Sequence, residues 1–331
     1  MRNRLVILIS FLILANVGAA QNPNLGTAGA QFLKIPVGAR AAGLGGAVIG
    51  LSDDATSIFW NPAGITHVKS GSGHFSHMQW FEFFNLNALA VVYSANNWGA
   101  FGMGAVTFGM EEMEMTTEFE PEGAGRTFDA QDMALILTYG RKLTDRFSVG
   151  LSGKYIYQRI WNEKAHGMAF DVGTQYLIDF QHLMLSMSMM NFGPDMEMSG
   201  PDLNVTYDQN DNYPNRLVPA QMETQPYPLP LNFKFGVAFD IVNSPFLRIR
   251  GDIDAVHLND NDEQIYTGTE VSLLSRLFFR GGYRFNHDDS QYNFGVGVNS
   301  NFSGSVVQFD YAYSGYNLLP DVHYFGMNLT F

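Results

Sequence analysis

The sequence predicts an all-β fold, a fourteen-stranded antiparallel barrel that crosses a membrane, and three observations support this prediction. The 331 residues include 34 Gly, 27 Phe and 15 Tyr but only 15% charged residues, a composition that favours strands over helices. Apolar and polar residues alternate with a period of two through most of the chain. Within these alternating segments, the charged residues occupy the same alternate positions as the other polar residues.

The first twenty residues have the features of a signal peptide. Arg2 and Arg4 precede an apolar run from Leu5 to Val17, and Gly18-Ala19-Ala20 supplies the small residues that signal peptidase requires. A helical anchor is the alternative, but the run is short for about 30 Å of hydrocarbon. We therefore expect residues 1–20 to be cleaved after export, and residues 21–72 and 73–331 to form a hatch and a barrel.

The mature chain is strongly acidic and has no cysteine. Without Arg2 and Arg4, 17 Lys and Arg face 32 Asp and Glu, a net charge of −15. Nucleic-acid phosphates would be repelled, so we expect no nucleic-acid partner. The absence of cysteine excludes disulfides and Cys-ligated metals despite export.

The stretch from Leu231 to Ile241 shows the alternation most clearly. One parity is wholly apolar, and the other carries Asn, Lys, Gly, Ala and Asp. Successive side chains of a strand point to opposite faces. Fourteen such segments, an even number as in bacterial single-chain barrels, occupy residues 73–81, 86–94, 98–109, 132–141, 145–157, 167–179, 182–192, 231–241, 246–256, 264–274, 276–285, 291–301, 304–314 and 321–331.

The position of the charges favours a membrane barrel over a soluble β-sandwich. Lys or Arg on the lipid face near the midplane costs about 2–4 kcal/mol, so charges should face the lumen. The residues expected there are Lys154, Asp171, Lys234, Asp240, Arg248, Arg250, Asp252, Asp254, Glu270, Arg280, Arg284 and Asp310. Connections alternate between short turns and longer segments such as 110–131 and 193–230, the asymmetry of periplasmic turns and external loops.

Residues 21–72 break the alternation. Their glycines resemble a dinucleotide-binding loop, but Val48 stands where the third glycine should be and no βαβ pattern follows. We interpret this segment as a compact, Gly-rich hatch in the lumen. Its charged residues Lys34, Arg40, Asp53 and Asp54 would pair with lumen charges, because buried charges need partners.

The stretch Phe32–Ile65, with its VGARAAGLGGA, SDDA and WNPAGI blocks, closely resembles the N-terminal signature of the PorV/PorQ family of FadL-like outer-membrane barrels. The SDDA and NPA blocks are similar to those of FadL-type fatty-acid transporters. The hatch-motif residues on which the resemblance rests are Gly38, Arg40, Gly43, Gly45, Gly46, Asp53, Asp54, Asn61 and Pro62.

The resemblance implies a role in type IX secretion. Partners would be the translocon, the C-terminal domains of secreted cargo or the surface-attachment complex, and PorV-like and PorQ-like roles remain open. The resemblance to FadL-type proteins leaves a second function open, transport of long-chain fatty acids or other hydrophobic molecules. A structural barrel without transport is a third.

No enzymatic motif is present, and we expect neither a cofactor nor a metal. The eight histidines are scattered, and no local motif suggests a catalytic triad. The acidic clusters Asp208–Asp211 and Asp260–Glu263 fit no calcium-loop pattern and are interpreted as solvated loop charge.

Three features suggest contacts with other molecules. The aromatic run Trp80, Phe81, Phe83 and Phe84 is either a belt at the interface with outer-membrane lipids or a docking ridge for a protein. Loop 193–230 combines Met and Pro residues, which suits either a contact surface or a lid. Phe331 ends an amphipathic last strand and resembles the signal read by the barrel-assembly machinery.

Overall fold

The computed structural model describes residues 23–81, 83–208, 217–287, 291–302, 304–317 and 319–331. The expected signal peptide therefore lies outside the described residues. The strands are β1 (Gly71–Trp80), β2 (Phe84–Ser94), β3 (Ala100–Met110), β4 (Met113–Glu114), β5 (Thr127–Phe128), β6 (Ala130–Lys142), β7 (Phe147–Ile160), β8 (Glu163–Ile178), β9 (Leu183–Phe192), β10 (Asn204–Asp208), β11 (Leu217–Gln221), β12 (Asn232–Asn243), β13 (Leu247–Leu258), β14 (Gln264–Leu273), β15 (Leu277–Phe285), β16 (Tyr292–Phe302), β17 (Ser305–Ser314) and β18 (Val322–Thr330).

Helical structure is scarce in the described part of the chain. One short α-helix, α1 (Ala39–Gly43), lies before the first strand. Single 3₁₀ turns are found at Gln31–Lys34, Ala55–Phe59, Pro62–His67, Asn96–Trp98, Phe180–His182 and Pro201–Leu203. None of the described helices has the length and apolar character needed to cross a membrane.

Fourteen of the described strands form one closed antiparallel barrel, in the order β1-β18-β17-β16-β15-β14-β13-β12-β9-β8-β7-β6-β3-β2. Each strand pairs with its neighbours along the chain, and β1 pairs with β18 to complete the circle. The predicted barrel is therefore confirmed, and each of the fourteen expected segments overlaps one of its strands.

The two faces of the wall differ as the alternation predicts. In β12, Phe235 and Ile241 are 40% and 53% exposed on the outer face, whereas Lys234 and Asp240 are buried inside. Ten of the twelve charged residues expected in the lumen are buried, and Arg250 is nearly so. Arg248 differs: its side chain is 42% exposed because it lies beside the turn that follows β12.

The two ends of the barrel also differ. Tight turns join β2 to β3, β6 to β7 and β12 to β13, whereas long connections follow β3 and β9. By the asymmetry of bacterial barrels, the end with the short turns is periplasmic. The long connections contain two hairpins that the alternation did not reveal, β4–β5 and β10–β11, and neither joins the wall.

Candidate functional site: the occupied lumen and its external cavity

Most of the N-terminal segment, residues 23–70, lies inside the barrel, whereas residues 23–27 and 69–70 are exposed. Helix α1 packs against β15, β16, β17 and β18, and the turn Pro62–His67 packs against β6, β7 and β8 on the opposite side. Most of its residues from Phe32 to Val68 are buried. The segment therefore occupies the space that a fourteen-stranded wall would otherwise leave to water.

Glycines on both sides allow the segment to approach the wall closely. A Cβ atom on Gly43 would lie 2.9 Å from Cα of Gly295 in β16. Gly45 has φ +65°, and a Cβ there would lie 3.2 Å from the carbonyl carbon of Gly282 in β15. The hatch-motif residues Gly38 and Gly46 also have positive φ. These backbone contacts require glycine, since any side chain would push the segment away from the wall.

Arg40 joins the segment to the wall through charge. Its Nε donates to Glu270 at 3.1 Å, and its Nη1 donates to Asp53 at 2.6 Å and Asp54 at 3.0 Å. Arg40 is buried, and Glu270 is 2% exposed. A buried charge is tolerable only when partners and hydrogen bonds surround it, as they do here.

Glu270 extends this arrangement across three strands. Arg250 and Arg280 flank it in β13 and β15, and both donate to it. Arg280 also donates to Asp310 at 2.6 Å, and Arg250 donates to Asp53 at 3.1 Å. We call the set the ionic cluster; its members are Arg40, Asp53, Asp54, Arg250, Glu270, Arg280 and Asp310.

A second group of wall residues holds the backbone of the segment. Asp254 accepts hydrogen bonds from the backbone N–H groups of Val48 and Ile49, at 3.0 and 3.3 Å. Asp252 accepts one from Gly50 at 3.1 Å. The two carboxyl groups thus satisfy backbone donors that no regular secondary structure supplies with partners.

The NPA block forms the third attachment. Asn61 caps the turn that Pro62 begins, accepting from the N–H of Ala63 at 3.1 Å. Its amide also donates to the carbonyl of Thr174 in β8 at 3.2 Å. Asn61 is completely buried, so the block contributes both to the local turn and to contact with the wall.

Four other expected lumen charges contact the segment or each other. Lys154 pairs with Asp171 at 2.9 Å, and both are buried. Lys234 has its ammonium 4.6 Å from the centre of the Trp60 ring. Arg284 donates to the carbonyl of Gly45 at 2.8 Å. Lys34, in contrast, pairs with Asp260 in the loop after β13 instead of with a strand charge.

A cavity of about 460 Å³ opens between the N-terminal segment and the wall, on the side of the long loops. Its surface is more apolar than polar, and four cationic side chains line it: Lys34, Lys154, Lys234 and Arg284. The apolar lining includes Phe32, Leu33, Ile35, Phe59, Trp60, Trp80, Phe81, Val106, Phe108, Ala134, Ile136 and Leu258. Such a combination suits a molecule with an apolar body and a polar or anionic end.

The loop histidine His287 also borders this cavity. Burial, together with the positive charges of Arg284 and Lys34, lowers its pKa to about 4. Its imidazole is therefore neutral at physiological pH, and the cationic character of the cavity comes from the three lysines and the arginine.

The aromatic run is divided between the cavity and the exterior, and its role as a lipid belt or a docking ridge stays a prediction. Trp80 and Phe81 pack on Tyr316, with ring centres 5.7 and 5.3 Å away, and line the cavity. Phe84 stacks on Phe108, and only Phe83 is exposed, at 59%. Phe81 has a positive φ and lies in the turn between β1 and β2. The turn places Trp80 and Phe84 on different strands.

The described parts of loop 193–230 have a packed base and exposed residues beyond it. At its base Met196 and Leu229 are buried, and Tyr227 and Met196 exchange backbone hydrogen bonds. The carbonyl of Pro228 accepts from Gly29 of the N-terminal segment at 2.9 Å. Beyond this base lies the hairpin β10–β11, whose Val205, Tyr207 and Val218 are exposed. The predicted solvated acidic cluster Asp208–Asp211 lies mostly outside the described residues.

Sequence reasoning missed several lining residues. Phe32, Ile35 and Trp60 belong to the motif stretch, yet nothing in their spacing shows that they border a cavity. His74 bonds to Asn328 at 2.7 Å across the β1–β18 pair, a contact that becomes visible only when the first and last strands are known to pair. No group of His, Cys, Asp and Glu in the described parts of the chain could hold a metal ion.

A closed barrel with an apolar outer face and a segment inside its lumen is the architecture of an outer-membrane β-barrel. Residues 18–184 match the family model "Type IX secretion system protein PorV". Because this match covers half of the chain, the protein belongs to the PorV family.

Solved structures show the same fold. The CymD monoaromatic hydrocarbon channel is similar with a TM-score of 0.54 and 12% identity, over 90% of this chain and 98% of that one. A Pseudomonas aeruginosa FadL homologue is similar with a TM-score of 0.53 and 10% identity, over 95% and 99%.

One curated relative shares a shorter stretch. A UPF0164 protein of Treponema pallidum (strain Nichols) is 26% identical over 144 residues, which are 43% of this chain. The match spans 36% of that relative's length.

Proposed function

We propose that this outer-membrane barrel is a non-enzymatic component of type IX secretion that binds the C-terminal domains of secreted cargo, or the surface-attachment machinery, through its external loops. The observation that carries the proposal is the match of residues 18–184 to the PorV family model. No ligand is needed for this function, since protein surfaces provide the contacts.

The occupied lumen supports binding at the loops and argues against passage through the barrel. Most residues from Phe32 to Val68 are buried, and the segment contacts the wall on opposite sides. A cargo polypeptide would have to displace this segment to pass through the barrel. A protein partner would therefore meet the external surface.

The hairpin β10–β11 offers the most suitable surface. Val205, Tyr207, Val218 and Met222 expose between 37% and 60% of their area. The hairpin pairs with no other described strand, so its edges have backbone groups available to a partner strand. Strand addition at a free edge is a common way for proteins to bind extended segments.

Replacing residues 204–221 by a short Gly-Ser linker tests this proposal. Met196, Tyr227 and Leu229 stay in place, so the packed base of loop 193–230 is preserved. We expect the variant to lose at least tenfold in affinity for a purified cargo C-terminal domain, measured by pull-down and biolayer interferometry.

The matched control removes the other external hairpin, residues 113–128, which carries several glutamates and projects from the same end. This variant should keep its affinity for the cargo domain. Equal capture by the wild type and both variants would show that neither hairpin receives cargo and would refute the proposed surface.

A second candidate function is favoured by the external cavity. The CymD structure is described as a monoaromatic hydrocarbon channel, and the cavity here is apolar with cationic groups. The alternative proposal is that the barrel takes up a hydrophobic molecule, such as a long-chain fatty acid, whose polar end lies near Lys154, Lys234 and Arg284.

Two substitutions at neighbouring positions of β6 distinguish the candidates. Ala134→Trp places an indole in the cavity, whereas Leu135→Trp places it on the outer face. The transporter proposal expects Ala134→Trp to reduce uptake of a labelled fatty acid strongly while Leu135→Trp has no effect. The variant in which 204–221 are replaced provides a second comparison. If it loses fatty-acid uptake but still captures the cargo domain, the secretion proposal is wrong.

A further inference from the structure

A second cavity, of about 740 Å³, lies at the periplasmic end of the barrel. Three stretches that are distant in sequence form it: the end of the N-terminal segment (66–69), the turn between β2 and β3 (94–100) and the end of β6 (140–142). It shares no lining residue with the external cavity. The two are therefore separate sites.

Hydrogen bonds and a close contact fix the frame of this periplasmic cavity. Ser94 donates to the carbonyl of Ser70, and Ala95 donates to that of Gly99, both at 2.8 Å. Gly99 has φ +96°, and a Cβ on it would lie 2.5 Å from the carbonyl oxygen of Gly140. The turn is thus held directly against the end of β6, which keeps the cavity in shape.

The lining is cationic in a chain that is otherwise acidic. Lys69, Arg141 and Lys142 line the cavity with Asn96 and Asn97, and the lining includes no carboxylate. Among the described residues these three cations have no ion-pair partner within 4.0 Å. Three neighbouring positive charges without a counter-ion repel one another, and an anion bound between them would relieve the repulsion.

The outer face beside the cavity is aromatic. Trp98 is 80% exposed, Tyr93 is 62% exposed, and the hydroxyl of Tyr139 donates to the carbonyl of Trp98 at 2.9 Å. Phe101 packs on Tyr139, with ring centres 5.1 Å apart. Aromatic side chains of this kind lie at the level of lipid headgroups. The cavity therefore opens where the inner leaflet of the outer membrane presents its phosphates.

We propose that the periplasmic cavity binds the phosphate-bearing headgroup of an anionic phospholipid. The guanidinium of Arg141 and the ammonium groups of Lys69 and Lys142 supply charged donors to phosphate oxygens. The exposed aromatic residues lie against the acyl chains of the same lipid. Basic pockets at the membrane surface bind cardiolipin and related headgroups in the same way.

Native mass spectrometry of the full mature protein in detergent tests this inference. Cardiolipin or phosphatidylglycerol is titrated in parallel with phosphatidylcholine as a zwitterionic probe. We expect the wild type to retain the anionic lipids at least tenfold better than phosphatidylcholine. The triple variant K69Q/R141Q/K142Q should lose this preference while keeping the heat-modifiable migration of a folded barrel.

The control variant R146Q/R276Q removes two basic residues at the same end of the barrel but outside the cavity. It should bind anionic lipid as the wild type does. An equal loss in the control would indicate a diffuse basic rim and would overturn the proposal, as would a triple variant that keeps its lipid preference.

Inorganic phosphate distinguishes a lipid headgroup from a free anion. We expect phosphate at millimolar concentration to leave bound cardiolipin in place, since the acyl chains add contacts along the aromatic face. Displacement of the lipid by phosphate, with phosphate adducts retained on the protein, would assign the cavity to a free anion and overturn the lipid proposal.

Discussion

Glu270 is the carboxylate on which three arginines of the ionic cluster converge. Replacing it with Gln keeps the shape but removes the charge, leaving Arg40, Arg250 and Arg280 buried together. Removing one partner of a buried ion pair costs about 3–5 kcal/mol. We expect E270Q to lose stability by about this amount, measured as the free energy of unfolding in urea with lipid vesicles.

The control is E263Q, because the side chain of Glu263 is 74% exposed and pairs with His257 at the surface. Its effect should be close to zero, since surface pairs contribute about 0–1 kcal/mol. Similar stability for both variants would mean that Glu270 does not anchor the N-terminal segment.

Adjacent residues of β6 test the two faces of the wall. Leu135 is 45% exposed on the outer face, and Ala134 is fully buried beside the external cavity. Leu135→Lys should destabilise the barrel by about 2–4 kcal/mol. Ala134→Lys should be tolerated better, because its ammonium can extend into open space.

Folding yield in liposomes measures this difference. The choice of Ala134 matters, since a lumen position such as Ala238 has less room: a Cβ on Gly50 would lie 2.6 Å from that of Ala238. If both lysine variants fold with the same yield, the assignment of faces in β6 is incorrect.

At the scale of elements, the alternation identified every wall strand but not the contents of the barrel. The neighbouring residues are enough to predict that Phe235 faces outward and Lys234 inward, because side chains alternate along a strand with a period of two. The partners of Glu270 are Arg40, Arg250 and Arg280, which lie in α1, β13 and β15. No local sequence pattern indicates that these four residues meet. The hairpin β10–β11 has alternating Val205 and Tyr207, a signal too short to separate from loop sequence.

The N-terminal segment is the element that we expect to block the pore. Deleting residues 24–70 should raise single-channel conductance in planar bilayers several-fold, because the wall alone encloses water. The control, replacement of 204–221, should leave conductance low. High conductance of the intact protein would show that the segment does not seal the lumen.

The last residue closes the wall. Phe331 and Gly71 exchange backbone hydrogen bonds at 3.0 and 3.1 Å, and the Phe331 ring lies against Gly71. Phe331→Ala keeps these bonds and removes only the ring. If the ring is a signal for the barrel-assembly machinery, this variant should show lower outer-membrane levels in cell fractionation but normal unfolding once inserted.

Deletion of Phe331 serves as the comparison, since it removes the ring and the hydrogen bonds together. It should lower both the membrane level and the stability of the inserted protein. Normal membrane levels of Phe331→Ala would limit the role of this residue to closing the barrel.

At the scale of the whole molecule, charge is sorted by location. The ionic cluster and the Lys154–Asp171 pair nearly balance within the lumen, whereas Lys69, Arg141 and Lys142 gather at the periplasmic end. The excess of acidic residues therefore lies mainly in the external connections, such as the loop between β3 and β6. An acidic external surface favours partners that present basic surfaces to it.

Pairing of β1 with β18 also sets an order of events during biogenesis. The barrel stays open along one side until the final strand arrives, and α1 contacts both β17 and β18. The interior can therefore be completed only as the wall closes. A chain whose N-terminal segment, residues 23–70, has not yet entered would close around water and would later have to admit the segment through a finished ring. Correct timing between the two ends of the chain thus becomes a requirement for maturation.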